Sequence, residues 1–307
     1  MHIRKTLAAL AVATAVVALA AGCSAPSAAP TNGKIVAVGA ENQYSSVISQ
    51  LGGRYVTTAS ILSNPNTDPH TFEASAQVAA TISAAGLIVQ NGLGYDAFMS
   101  KLEAASPNSS RIVITAQNVL GLPDSTRNPH LWYSPKTMPA VGKSIVAALA
   151  KLQPSHKAYF AANLKRFDAS LAVWTRQLAA FKTAHAGVAV ATTEPVADYM
   201  LSAAGVDNRT PWALQAAIMN DTDPAPQDVA TQNALLKNAT VKVFVYNQQV
   251  TDSITSDYLK LAAASHIPVV GVYETMPTDG YDYQTWMEAE LNALDRAVTE
   301  GKSTVKL

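Results

Sequence analysis

From Lys34 onward, short β-branched runs alternate with longer alanine-rich stretches, and the spacing of the apolar positions changes with them. The short runs predict strands at Lys34–Val38, Tyr55–Leu62, Leu87–Gln90 and Arg111–Thr115, then at Val188–Thr193, Val241–Tyr246 and Ile267–Tyr273. Helical patterns fall between them, such as Gln43–Leu51, stopped by Gly52 and Gly53, and Ser75–Ala84, stopped by Gly86. Strands and helices in alternation imply parallel sheets flanked by helices, an α/β architecture. No short-period repeat is visible; the rhythm has two halves.

One segment breaks that rhythm. Phe160, Leu164, Phe167, Leu171, Trp174, Leu178 and Phe181 step by four and three in turn, which places an apolar seam on one face of a single long helix. With Ser155 as its cap and Gly187 as its stop, a helix from about His156 to Lys182 is roughly 40 Å long, enough to brace two lobes. A coiled-coil dimer arm is the competing reading, but the seam covers fewer than about four heptads and lacks flanking charge order. The expected organisation is therefore a first lobe over 34–154, a linking helix over 155–184 and a second lobe over 185–307.

The amino terminus says where such a protein works. Arg4 and Lys5 precede an uninterrupted small and apolar run from Leu7 to Ala21, which reads as a secretory signal too short to remain as a membrane span. Cys23, the only cysteine in 307 residues, closes the sequence Leu19, Ala20, Ala21, Gly22, Cys23. That segment resembles a bacterial lipobox, in which cleavage leaves a lipidated cysteine, so 1–23 reads as a lipoprotein signal. The plainer alternative is a secreted protein with one buried thiol. Residues 24–33, rich in Ser, Ala, Pro, Thr and Asn, suit a flexible tether.

Composition narrows the function. With 49% hydrophobic residues the chain can build a large core, and its formal net charge of zero gives no argument for nucleic acid. The chemistry lies in four positions just beyond apolar runs: His70 in DPHTFE, His130 in NPHLWYSP, Glu194 in TTEPV and Glu274 in VYETM. Ligands of open α/β sheets bind outside the carboxyl ends of the strands, so these four residues are candidates for one crevice. A loop histidine by itself is usually just solvated. A carboxylate that ends a buried strand needs a metal or a partner, and no basic residue stands near Glu194 or Glu274 in sequence. Two imidazoles and two carboxylates form a borderline-to-hard divalent metal site. Asn91 and Tyr246, at strand ends, are expected to orient the ligands by hydrogen bonds. Ser134 and Pro135 are expected to start a helix just after His130.

These motifs resemble the zinc- and manganese-binding solute-binding proteins of bacterial ABC importers, over essentially Lys34 to Gly301. DPHTFE looks like that family's first-ligand motif and NPHLWYSP is a close match to its second. NGLGYDAFM is similar to the segment between them, and TTEPVADYM and VYETMPTDGYDYQTWM fall where the third and fourth ligands occur. The resemblance implies two α/β lobes joined by a long helix. It also implies one Zn2+ or Mn2+ ion held by His70, His130, Glu194 and Glu274, and partnership with an ABC permease and its ATPase. The implied protein is a monomer outside the cytoplasm, held by lipid on Cys23 to the outer face of the cell membrane. Phe72 and Ala74 stand where Tyr and Pro are common, and Glu274 where Asp is often found. Pro123 to Arg127 runs to His130 without the long histidine-rich loop of many zinc-specific members.

Ligand type does not choose between zinc and manganese, although the lack of sulfur ligands excludes copper(I) and iron-sulfur clusters. The reading is capture and release without catalysis, since no HExxH pair stands on a helix. Imidazoles must be neutral to ligate, so binding should weaken in mild acid. Two competing readings are a secreted metallohydrolase using Asp279 or Asp282 as base, and a surface adhesin of the same family.

Overall fold

The computed structural model describes residues 33–66, 72–277 and 280–307. Cys23 with the whole of 1–23, the tether apart from Gly33, and His70 and Asp279 lie outside the described residues.

The first half of the fold runs β1 (Ile35–Glu41), α1 (Asn42–Gly52), β2 (Val56–Leu62), α2 (Ala76–Ala84), β3 (Leu87–Gln90), α3 (Ala97–Ala105), β4 (Ile112–Thr115), α4 (Ala116–Val119) and α5 (Thr137–Leu152). The long helix α6 (Lys157–His185) follows. The second half is β5 (Ala189–Thr192), α7 (Asp198–Ala203), β6 (Asp207–Asn208), α8 (Trp212–Met219), α9 (Pro226–Lys237), β7 (Val243–Asn247), α10 (Ser253–Ala264), β8 (Val269–Val272) and α11 (Tyr283–Glu300). The described residues all fall within one compact unit.

Each half contributes a four-stranded, all-parallel sheet of the same topology, β2-β1-β3-β4 and β6-β5-β7-β8. In both, the chain winds outward in one direction and then reverses, so each sheet has a switch point between its two central strands. That is where the loops leaving the strands diverge and open a crevice. The central strands are buried on both faces, as helices on either side of a parallel sheet require; β7 is buried at all five positions. The edge strand β2 has exposed and half-buried positions.

Strand β1 runs three residues past the predicted Val38 because Gly39 and Ala40 continue the ladder, ending where Glu41 pairs with Leu62. Gly39 is also the point of closest approach: a Cβ there would lie 2.4 Å from the backbone nitrogen of Ser45 in α1. The two-residue strand β6 was not foreseen, since Asp207 and Asn208 carry no apolar signal; position beside β5 alone makes it a strand.

The seam of α6 meets the protein's own helices α1, α5 and α11, and the coiled-coil arm is thereby displaced. Phe160, Phe167, Leu171, Trp174, Leu178 and Phe181 are buried, with Leu164 partly so, in a core that also takes residues from both sheets. Each such side chain contributes on the order of 2 kcal/mol by leaving water. Ser155 does not cap the helix; it lies in a short 3-10 turn, Pro154–His156, that leads into it. Gly187, at φ +81°, follows the helix end as expected of a stop. Among the described residues, no helix is long and apolar enough to cross a membrane.

Candidate metal centre

The loops at the carboxyl ends of both sheets meet. Glu194 lies two residues past β5 and Glu274 two past β8, whereas His130 stands well beyond β4, delivered by a loop after α4. That loop closes in a 3-10 turn, Leu131–Tyr133, so α5 begins at Thr137, later than the Ser134–Pro135 start expected from sequence. Ser134 instead accepts the backbone N–H of Lys136. Leu131, Trp132 and Tyr133 are buried in the core and anchor the turn.

His130 and Glu274 are completely buried, and Nε2 of His130 stands 3.4 Å from Oε2 of Glu274. The ring is oriented from behind: Nδ1–H lies 2.8 Å from Oδ1 of Asn128, which also accepts the backbone N–H of His130 at 3.0 Å. That places the Nδ1 proton and leaves the Nε2 lone pair toward the carboxylate. The Asn128 amide donates to the Pro195 carbonyl at 2.8 Å, tying the histidine of the first lobe to the residue after Glu194 in the second.

The two carboxylates are gathered by Asn247, the last residue of β7. Its Nδ2 donates to Oε1 of Glu194 at 2.9 Å and to Oε1 of Glu274 at 2.8 Å. The bond expected of Tyr246 thus falls one residue on, because successive strand residues point to opposite faces. Tyr246 turns into a core cluster with Ala191, Phe244 and Tyr258. The loop of Glu274 is pinned by Gln249, whose Oε1 accepts the backbone N–H groups of Glu274 and Thr275 at 2.6 and 2.7 Å.

Tyr95 of the first lobe completes the contact across the crevice, donating to Oε2 of Glu274 at 2.9 Å. It is carried by a turn in which Gly92, Leu93 and Gly94 all have positive φ, 87°, 57° and 80°. Gly92 is required there twice over, since a Cβ would also meet Oε1 of Gln117 at 2.8 Å. Asn91 acts at one remove from the ligand: it accepts from the Tyr44 hydroxyl at 2.7 Å and donates to the Pro129 carbonyl at 2.8 Å, bracing the residue before His130. Asp96 accepts the backbone N–H groups of Asn91 and Gly92 and holds the same turn.

Neither carboxylate is neutralised by Arg or Lys among the described residues; amide, phenol and imidazole groups surround them. Nearby acids are held towards their neutral forms. Burial pushes the Asp198 carboxyl up, offset in part by bonds from Gln215 and Asn208 and by the His130 imidazole. Burial, reinforced by Asp96, pushes Glu41 well up as well. Among the described residues, no three His, Cys, Asp or Glu side chains form a metal-holding group by themselves; the described part of the site supplies one imidazole facing one carboxylate, with a second carboxylate clamped beside it. Asp282, the alternative base, caps α11 by accepting the Thr285 N–H at 2.9 Å. Asn128, Asn247, Gln249 and Tyr95 were not singled out by sequence, where an isolated amide or phenol resembles any other loop residue.

The comparisons agree with this architecture. A family model described as zinc-uptake complex component A, periplasmic (ZnuA), matches residues 38–297. A curated Treponema pallidum (strain Nichols) protein, named only as a presumed metal-binding protein, is 30% identical over 176 residues, covering 51% of this chain. The match spans about half, 55%, of that relative's length. Among solved structures, a crystal structure of ZnuA superposes with a TM-score of 0.72 at 19% identity, over 87% of this chain and all of the other. The periplasmic zinc-binding protein TroA of Treponema pallidum gives 0.71 at 17% identity, over 87% and 99%. The SBP FpvC of Pseudomonas aeruginosa, solved with Mn2+, gives 0.71 at 20%, over 87% and 99%. With its two parallel-sheet lobes, long connecting helix and 260-residue family match, this chain belongs to the ZnuA family of periplasmic zinc-uptake components.

Proposed function

We propose that this protein is an extracytoplasmic solute-binding lipoprotein that captures one divalent transition metal ion, Zn2+ or Mn2+, between its lobes and delivers it to an ABC permease and its ATPase. Members of the family bind their substrate rather than transform it. The ligands of this reading are His130, Glu194 and Glu274 with His70 as the fourth. Lobes 34–154 and 185–307 grip the ion from either side of the helix, and Cys23 carries the lipid that keeps the protein at the membrane.

The observation that carries the reading is the meeting of His130 and Glu274. An imidazole nitrogen with a fixed tautomer faces a carboxylate oxygen from the other lobe, and His130, Glu194, Asn247 and Glu274 are all buried. A cation placed there joins both lobes, so the loaded form is the closed one, and the permease draws the ion out by favouring an open form of lower affinity. Four protein ligands leave no open position for an activated water, which disfavours the hydrolase reading.

Elemental analysis of protein purified without added metal, with stoichiometry, tests the proposal. One equivalent of zinc or manganese, lost in His130→Ala and in His70→Ala, is the expected result. Retention of the metal by both variants overturns it.

A further inference from the structure

The double donation by Asn247 constrains how any ion can be held. The residue is 1% exposed, and its amide cannot turn over because Oδ1 accepts the backbone N–H of Gln249 at 3.0 Å. The backbone N–H of Asn247 is itself bound to the Thr193 hydroxyl at 3.0 Å. Both Nδ2 hydrogens therefore point outward at fixed positions, one to Oε1 of Glu194 and one to Oε1 of Glu274. An ion chelated by both oxygens of either carboxylate would lie near the positive end of that amide dipole. One taken through Oε2 alone avoids it, and at Glu274 it uses the acceptor site of Oε2 that the Tyr95 hydroxyl, donating at 2.9 Å, leaves over.

Spacing across the lobes points the same way. Two ligands at about 2.1 Å from an ion are about 3.4 Å apart at a tetrahedral angle, whereas a right angle at the same bond length brings them to about 3.0 Å. The observed separation of His130 Nε2 and Glu274 Oε2 is 3.4 Å. We propose that Asn247 is a specificity-determining residue that keeps Glu194 and Glu274 monodentate. In doing so it favours a four-coordinate zinc ion over manganese, which accepts a larger oxygen set. This rests on the reading of the two glutamates as ligands.

The test uses the full-length, metal-free protein. Zinc and manganese affinities are measured by competition with a chromophoric chelator, and the coordination of bound zinc by X-ray absorption, for wild type, Asn247→Ala and Asn247→Ser. Wild type should hold zinc with four ligands and single-oxygen carboxylates. Both variants should lose at least about tenfold in the zinc-to-manganese affinity ratio, and coordination should rise above four. A bidentate carboxylate in wild type overturns the inference whether or not the variants fold. So does an unchanged ratio in variants that bind. A wild type that binds neither ion instead defeats the functional reading beneath it.

Discussion

Asn128 grips His130 at two points, taking the backbone N–H at 3.0 Å and the ring Nδ1–H at 2.8 Å on a single carboxamide oxygen. A free imidazole rotates and exchanges tautomers; this one is presented with its lone pair forward. Groups that orient a ligating histidine typically contribute 10–100-fold to metal affinity. Asn128→Ala should weaken zinc binding by about that factor while leaving the far-ultraviolet circular dichroism unchanged. Unaltered affinity would show that the buried aromatic turn alone orients the ring.

Glu290 offers a pH experiment at a carboxyl that is not itself one of the proposed ligands. It is fully buried in α11, accepts from Trp286 Nε1 at 3.0 Å and from the Tyr133 hydroxyl at 3.2 Å, and burial raises its carboxyl to about 8. The folded state holds this proton more tightly than the unfolded chain, so the stabilisation is fully present below about 4.5 and is lost as pH rises through about 8. Glu290→Gln removes a slope of up to about 5 kcal/mol across that window. Urea denaturation at pH 5 and pH 8.5 should bring wild type down relative to the variant; parallel curves would refute the assignment.

The brace helix can be tested by truncation. Phe167, 3% exposed on the α6 seam, packs in the core shared by both sheets. Phe167→Ala should cost about 3–5 kcal/mol in denaturant titration. A loss below about 1 kcal/mol would mean that the seam is not a tightly packed part of that core.

Gly39 tests the first switch point. A methyl group there meets the Ser45 nitrogen at 2.4 Å and the Glu41 carbonyl oxygen at 2.7 Å, both backbone atoms that cannot swing aside. Gly39→Ala should destabilise by about 1–3 kcal/mol or more and, by shifting α1, loosen the reciprocal pair in which Asn42 binds the Met276 backbone from across the crevice. Hydrogen exchange at Met276 reads this directly. Protection equal to wild type would show that α1 can retreat without disturbing the second lobe.

The alternation of strand and helix was legible because a parallel sheet needs apolar runs buried on both faces, and β3, β7 and β8 carry them in plain view. The seven-residue seam of α6 was equally plain, since its period belongs to no other element. Less visible were β6, which has no apolar residue, and the delayed start of α5, where the buried Leu131, Trp132 and Tyr133 hold a 3-10 turn against the preference of Ser134 and Pro135 to begin a helix.

For the site, chemistry and geometry divide in the same way. The sequence marked Glu194 and Glu274 as candidates because a carboxylate at a buried strand end is costly without a partner, and His130 by the loop motif NPHLWYSP that carries it. Which amide would orient them depended on strand parity and on contacts between residues 27 to 67 positions apart. That is why Asn247 rather than Tyr246 reaches both carboxylates, and why Asn128 can join His130 to Pro195. Local sequence determines period, charge and ligand type; the direction of a donor relative to a distant acceptor exists only once the two sheets have been packed against one helix.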